Sequence, residues 1–182
     1  MWIKTRISGL LLLVFFATLS CRQNPSSANN GQNKPMAPDM EHLIYANKKS
    51  NRTEEQQIND LIHRYGWNMQ STGTGLRFQV YCSSNGQPVQ RGHQVALRYQ
   101  IKLLNGVEIF NSDNDGILTF TVGKAEVVSG LEEAVLLLKE KDKARIIIPS
   151  FLGHGLSGDG KKIPPKATLI YDIEILYVKP LN

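Results

Sequence analysis

The residues of this chain that could do chemistry are a pair of carboxylates, four histidines, two cysteines and a glycine-rich loop. Glu132 and Glu133 stand side by side, as an acid and a base could. They also fall in a stretch where Leu131, Ala134, Val135 and Leu138 mark one helical face, Ser129 stands three residues before Glu132, and Lys139, Lys141 and Lys143 follow. A capping box, with charges complementary to the helix dipole, accounts for the pair without catalysis. The loop at 153–158, GHGLSG, matches G-x-G-x-x-G letter for letter. That motif presents phosphate-binding amides from an adjoining helix, whereas this one runs into Asp-Gly-Lys-Lys-Ile-Pro-Pro, so no nucleotide is expected. His42, His63, His93 and His154 are scattered, and Cys82 has no partner at metal-ligand spacing. No serine sits in a G-x-S-x-G elbow. The expectation is therefore no metal, no cofactor and no covalent or acid/base chemistry.

The other cysteine has a different context. Lys4 and Arg6 precede an apolar run from Leu10 to Ala17, and Ser20 precedes Cys21. This is the layout of a secretory signal, too short in its apolar part to span a bilayer. Thr-Leu-Ser-Cys reads as a relaxed lipobox, with 1–20 a leader and Cys21 the lipidated first residue of the mature protein. Loss of the leader removes two cations and no carboxylate from a formal net charge of +5, a balance too mild to argue for nucleic acid. Residues 21–39, rich in Asn, Gln, Ser and Pro, bury too little to order themselves and read as a tether.

A helical extension is expected at 40–72. Thr53 and Gln56 form a capping-box pattern, Ile58, Leu61, Ile62 and Tyr65 recur at helical spacing, and Gly66 is the stop; MEHLIYANKKS reads as a weaker helix before it. The period then changes. Leu76, Phe78 and Val80 alternate with polar residues, as do Val95, Leu97, Tyr99, Ile101 and Leu103, which predicts half-buried strands. Asn105-Gly106 supplies a hairpin turn. Leu118, Phe120 and Val122 share one side of a further strand, the 129–138 helix follows, and ARIIIPS reads as a buried strand. The organisation is α+β, an antiparallel sheet with one helix packed on it.

Three blocks carry a resemblance: the hairpin YQIKLLNG (99–106), GKAEVVSGLEEAV (123–135) and IPPKATLIYDIEIL (163–176). In order and spacing, residues 73–178 resemble the FKBP-type peptidyl-prolyl cis-trans isomerases. The resemblance implies an FKBP-like antiparallel sheet wrapped around one short helix. It also implies that the glycine-rich loop and Pro164-Pro165 form a flap over an apolar cleft, the prolines setting how the last strand begins. Leader, tether and extension are similar to those of lipid-anchored bacterial FKBPs, including forms associated with gliding motility. That likeness implies a protein held to the membrane through Cys21, on the outer membrane facing the periplasm, acting on proline-containing segments of exported polypeptides.

Carried over by motif, the resemblance places Tyr99, Val127, Val128, Leu131, Ile163 and Tyr171 around a proline ring, with Leu118 on the wall and Leu131 on the floor of a partly open cleft. The family's floor tryptophan is Leu131 here. After the hairpin the chain reads Ile109-Phe110-Asn111 where the family has Phe-Asp. Without a gap Ile109 is the wall and Phe110 replaces the aspartate; with a one-residue insertion Phe110 is the wall and Asn111 replaces the aspartate. His154 takes the place of a flap tyrosine that donates to the substrate carbonyl. An imidazole N–H can make the same donation.

Overall fold

The computed structural model describes residues 40–180, so the expected leader, Cys21 and the tether lie outside the described residues. The chain runs α1 (Met40–Tyr65), β1 (Gln70–Ser71), β2 (Arg77–Cys82), β3 (His93–Leu103), β4 (Glu108–Asn111) and α2 (Ser112–Asp115). It continues with β5 (Leu118–Thr121), α3 (Ser129–Val135), β6 (Lys143–Ile148), a 3-10 turn (Ser150–Leu152) and β7 (Leu169–Pro180). All strand pairs are antiparallel, in the order β1-β2-β6-β7-β3-β4, and β5 shares the outer edge of β3 with β4. This is the expected α+β fold, with α3 buried against one face of the sheet.

The strand pattern explains which face is which. On β3, Val95, Leu97 and Ile101 are buried beneath α3, while Arg98 is exposed. Strand β6 does not alternate in this way, because both of its faces are covered. Ala144, Ile146 and Ile148 join the main core, while Ile147 turns to the other face and meets Ile58 and Leu61 of α1 together with Ile170 of β7. Burying a side chain such as Ile58 or Leu61 is worth about 1.5–3 kcal/mol, which is what fastens α1 to the sheet.

Several expectations are corrected. The two helices read before Gly66 are one helix of 26 residues, and Thr53 lies inside it, its hydroxyl donating to the Lys49 carbonyl at 3.0 Å instead of capping an N-terminus. The stop at Gly66 does hold. With φ +63 it carries the left-handed turn of a Schellman motif, in which the Gly66 N–H donates to His63 O and the Trp67 N–H to Ile62 O. The sheet also begins at Gln70, inside the segment read as helical extension.

At α3 the capping box is not formed. Val128 is the N-cap with no side-chain bond, Ser129 donates to the Leu152 carbonyl, and Glu132 accepts from the Ala125 N–H at 2.8 Å. Glu133 accepts from the Thr74 hydroxyl, and the helix ends before the lysines reach its last turn. The two carboxylates thus pin the loops on either side of the helix.

Pro164 and Pro165, finally, do not begin β7. They lie in the loop, followed by Lys166 at φ +57, whose N–H donates to Gly155 O, and the strand starts at Leu169. Nor is α3 the only helix between strands, since α2 forms one turn between β4 and β5. Among the described residues no helix is long and apolar enough to cross a membrane.

Candidate functional site

The paired strands set side chains in rows across the sheet, since residues opposite one another share a face. One row runs Phe78, Ile146, Tyr171, Ile101, Phe110 across β2, β6, β7, β3 and β4. The next runs Val80, Ala144, Ile173, Tyr99. There the outer edge of β3 has no strand partner: β5 pairs with Gln94 to Leu97 and β4 with Gln100 to Lys102, and α2 fills the notch between them. Buried Ser112 of α2 supplies the missing acceptor, taking the Tyr99 N–H on its hydroxyl at 3.2 Å. The third row brings Leu118 beside Leu97 and Ile175.

On this face Leu131, Ile163, Tyr171 and Ile109 are buried, and Tyr99, Phe110, Leu118, Val127 and Val128 are half-buried against the same cluster. The register at β4 places Phe110 in the row with Ile101 and Tyr171. Phe110 pairs with Ile101, Glu108 with Lys102, and Ile109 is the extra residue of a β-bulge. Asn111 pairs with Gln100 on the opposite face, where it lines a cleft that Tyr99 also borders. Its Oδ1 accepts from the Asp113 N–H as the N-cap of α2, and its Nδ2 donates to Glu108. That face carries a polar cleft in which Arg98 and Lys143 pair with Glu174, while Asp172 pairs with Arg145.

Both tyrosines stay protonated at neutral pH. Burial pushes the Tyr171 hydroxyl well above the usual tyrosine range, with the charge of Tyr99 adding to it, and burial with the nearby Asp115 raises Tyr99. Each is a neutral donor at the edge of an apolar surface, suited to a peptide carbonyl.

The loop at 149–168 covers the end of this surface. Asp159 organises it: Oδ1 accepts from the N–H groups of Lys161 and Ile163, at 2.8 and 2.7 Å, which seats Ile163 in the core. Desolvation would raise the Asp159 pKa, but these backbone donors and the nearby His154 hold it low. His154 is half-buried on the same loop. At Gly158, φ +67, an added Cβ would stand 2.2 Å from the Ile163 carbonyl, so only glycine fits the turn. Among the described residues no group of three or more His, Cys, Asp or Glu could hold a metal.

Residues 85–176, half of the chain, match the family model for FKBP-type peptidyl-prolyl cis-trans isomerase. The chain belongs to that family. An FK506-binding protein of Neisseria meningitidis is 37% identical to this FKBP over 105 residues, covering 57% of this chain and 96% of the relative. A probable FKBP-type isomerase of Haemophilus influenzae is 31% identical over 115 residues, 63% of this chain and 47% of the relative. The chain thus spans less than half the length of some curated relatives it matches. The crystal structure of FkpA from Escherichia coli superposes with a TM-score of 0.62 at 27% identity, covering 76% of this chain and 65% of that one.

Two side chains that help to build this surface are not announced by the sequence of this FKBP. Ser112 lies in Asn-Ser-Asp-Asn-Asp-Gly, a run that signals a turn but not the β3 amide it serves. Lys162 reaches from the loop to β4, donating to the Ile109 carbonyl at 3.0 Å with its ammonium 4.5 Å from the centre of the Phe110 ring. Nothing local in the sequence announces a contact across 53 residues.

Proposed function

We propose that this FKBP is a peptidyl-prolyl cis-trans isomerase whose substrate proline packs against Phe110, Tyr171, Tyr99 and the Val127-Val128 pair, over Leu131 and Ile163. The observation that carries this is the apolar cluster rimmed by neutral donors. Such a surface needs no nucleophile. The barrier to prolyl rotation, about 18–20 kcal/mol, comes from amide resonance, which places charge on the carbonyl oxygen and is favoured by water. An apolar surface that strips water from the amide and grips the ring favours the twisted, less dipolar state. Each ~1.4 kcal/mol of that preference is worth tenfold in rate. His154 is the loop's candidate donor to the substrate carbonyl.

The clients are proline-containing segments of exported polypeptides, and the protein is anchored through Cys21 in the cell envelope, on the outer membrane facing the periplasm. The leader-like run before Cys21 supports this placement. Cys21→Ala is expected to move the protein from membrane to soluble fraction; retention on the membrane would refute the anchor.

A second reading, a non-catalytic chaperone or binding module of an envelope or motility machine, is favoured by the position of Asn111 and by Leu131 in place of the family tryptophan. Refolding of a protein limited by proline isomerisation, with the full chain added in catalytic amounts, separates the two. Acceleration of the slow phase supports the enzyme; suppressed aggregation with an unchanged slow phase supports the second reading.

A further inference from the structure

The loop at 149–168 leaves β6 at Ile148 and joins β7 at Leu169. Both of its ends meet the same side chain, and that side chain belongs to neither strand. Glu54, in the C-terminal half of α1, accepts the Ser150 N–H on Oε1 at 2.6 Å and the Ser150 hydroxyl on Oε2 at 3.0 Å; the Thr168 hydroxyl donates to Oε1 as well. Ser150 is 7% exposed and Thr168 3%, so these are sheltered bonds to a carboxylate, stronger than neutral pairs and little screened by salt. One helical turn earlier, the Ser50 hydroxyl accepts from Lys166 Nζ at 3.4 Å. A cleft bordered by Ser50, Ser150, Phe151 and Leu156 runs between helix and loop along the same line.

We propose that Glu54 is a positioning residue for the prolyl site: the N-terminal helix, through this one carboxylate, clamps both ends of the loop and so sets where His154, Lys162 and Ile163 stand over the apolar cluster. The proposal rests on the isomerase reading of that cluster. Glu54 itself faces away from the substrate and acts only through the loop. Its partners lie 96 and 114 residues along the chain, which makes the clamp a property of the fold and not of any local motif. The other ties of the loop are the Ser129 hydroxyl on the Leu152 carbonyl, Lys166 on Ser50, Lys162 on Ile109 and turns within the loop. None of these takes the side chain of Ser150 or Thr168, so release of Glu54 would leave both of those residues free to shift.

The test uses the full chain with Glu54→Ala, Glu54→Gln and the double variant Ser150→Ala/Thr168→Val, which removes two donors while leaving α1 intact. Isomerisation of a prolyl tetrapeptide gives kcat and KM, and amide hydrogen exchange reports each segment. For Glu54→Ala the expected result is a fall of about tenfold in kcat/KM, mainly through KM. Exchange should quicken across 150–168 with β3 and β7 still protected. Glu54→Gln, which keeps one acceptor oxygen, should fall between wild type and Ala, and so should the double variant, which keeps the Ser150 N–H bond. Unchanged exchange in the loop overturns the proposal. So does faster exchange spread evenly over the sheet, or a loosened loop with kcat/KM unaltered. If the wild type itself fails to accelerate isomerisation, the isomerase reading falls, and the exchange arm still decides whether Glu54 holds the loop.

Discussion

The ammonium of Lys162 lies 4.5 Å from the centre of the Phe110 ring while donating to the carbonyl of the preceding residue, Ile109. The bulge makes this possible. A bulged residue is left out of the strand ladder, so the Ile109 carbonyl is free to accept a bond from outside the sheet. One lysine thereby ties the far end of the loop to the strand that carries the wall of the site.

Lys162→Met keeps the length and the apolar stem but loses both interactions. A neutral-acceptor hydrogen bond and an exposed cation–π contact are each worth about 0.5–1.5 kcal/mol at most. Urea unfolding is expected to show a loss of about 1 kcal/mol, with faster amide exchange around Ile163. An unchanged loop would mean that Glu54, Asp159 and the internal turns hold it without Lys162.

Gly130 gives a test in which two principles oppose each other. Alanine is the better helix former by about 1 kcal/mol, so propensity alone favours Gly130→Ala. An added Cβ, however, would stand 2.4 Å from Ile148 Cγ2 and 3.1 Å from the Leu152 carbonyl, because α3 lies against β6 and the 3-10 turn at this point. Overpacking of a tight contact costs about 1–3 kcal/mol. Thermal or urea unfolding should show a net loss of stability, and a gain would show that α3 can shift away from β6 at no cost.

Those contacts mark what was legible in the chain and what was not. The alternation on β3 predicted its buried face, and Gly66 predicted the end of α1, because both follow from neighbours within a few residues. Thr53 and Ser129 misled, since a capping-box spacing also occurs inside a helix and in its first turn. The apolar residues of the site were placed through motif resemblance; taken singly, an inward-facing Leu118 or Val127 on such a sheet reads as ordinary core. The pairing of Phe110, and not Ile109, with Ile101 depends on the bulge, which no residue type signals. Glu54 was invisible, its meaning fixed only when Ser150 and Thr168 are brought to it by the sheet.

Leu131 is the residue whose environment changes most between sequence and structure. Read as the floor of a partly open cleft, it is 1% exposed and sealed by the core around α3. A lysine there could not bring its ammonium to water, so Leu131→Lys is expected to unfold the protein and not to separate activity from stability. Leu131→Ala should cost about 2–5 kcal/mol. The informative variant is Leu131→Met, similar in volume and expected to cost less than about 1.5 kcal/mol. If Leu131 shapes the floor under the proline, kcat/KM per folded molecule should drop severalfold in this variant; full activity would assign Leu131 to core packing alone.

Tyr171 carries a pH signature on the alkaline side. Its hydroxyl is held well above the ordinary tyrosine value of 10.0, first by burial and then by Tyr99. Below about pH 10 both folded and unfolded chains keep this proton, and the contribution of Tyr171 to stability does not vary with pH. Above it the unfolded chain releases the proton while the folded chain does not, so the unfolded state is favoured and stability is lost as the pH climbs towards the folded pKa. For one proton the slope reaches about 1.4 kcal/mol per pH unit. Tyr171→Phe keeps the ring and removes the titration. Urea unfolding between about pH 9 and 12 should therefore give a shallower alkaline loss in the variant than in the wild type. Parallel curves would show that Tyr171 ionises equally in both states, and that its hydroxyl is not sheltered as its neighbours on the sheet imply.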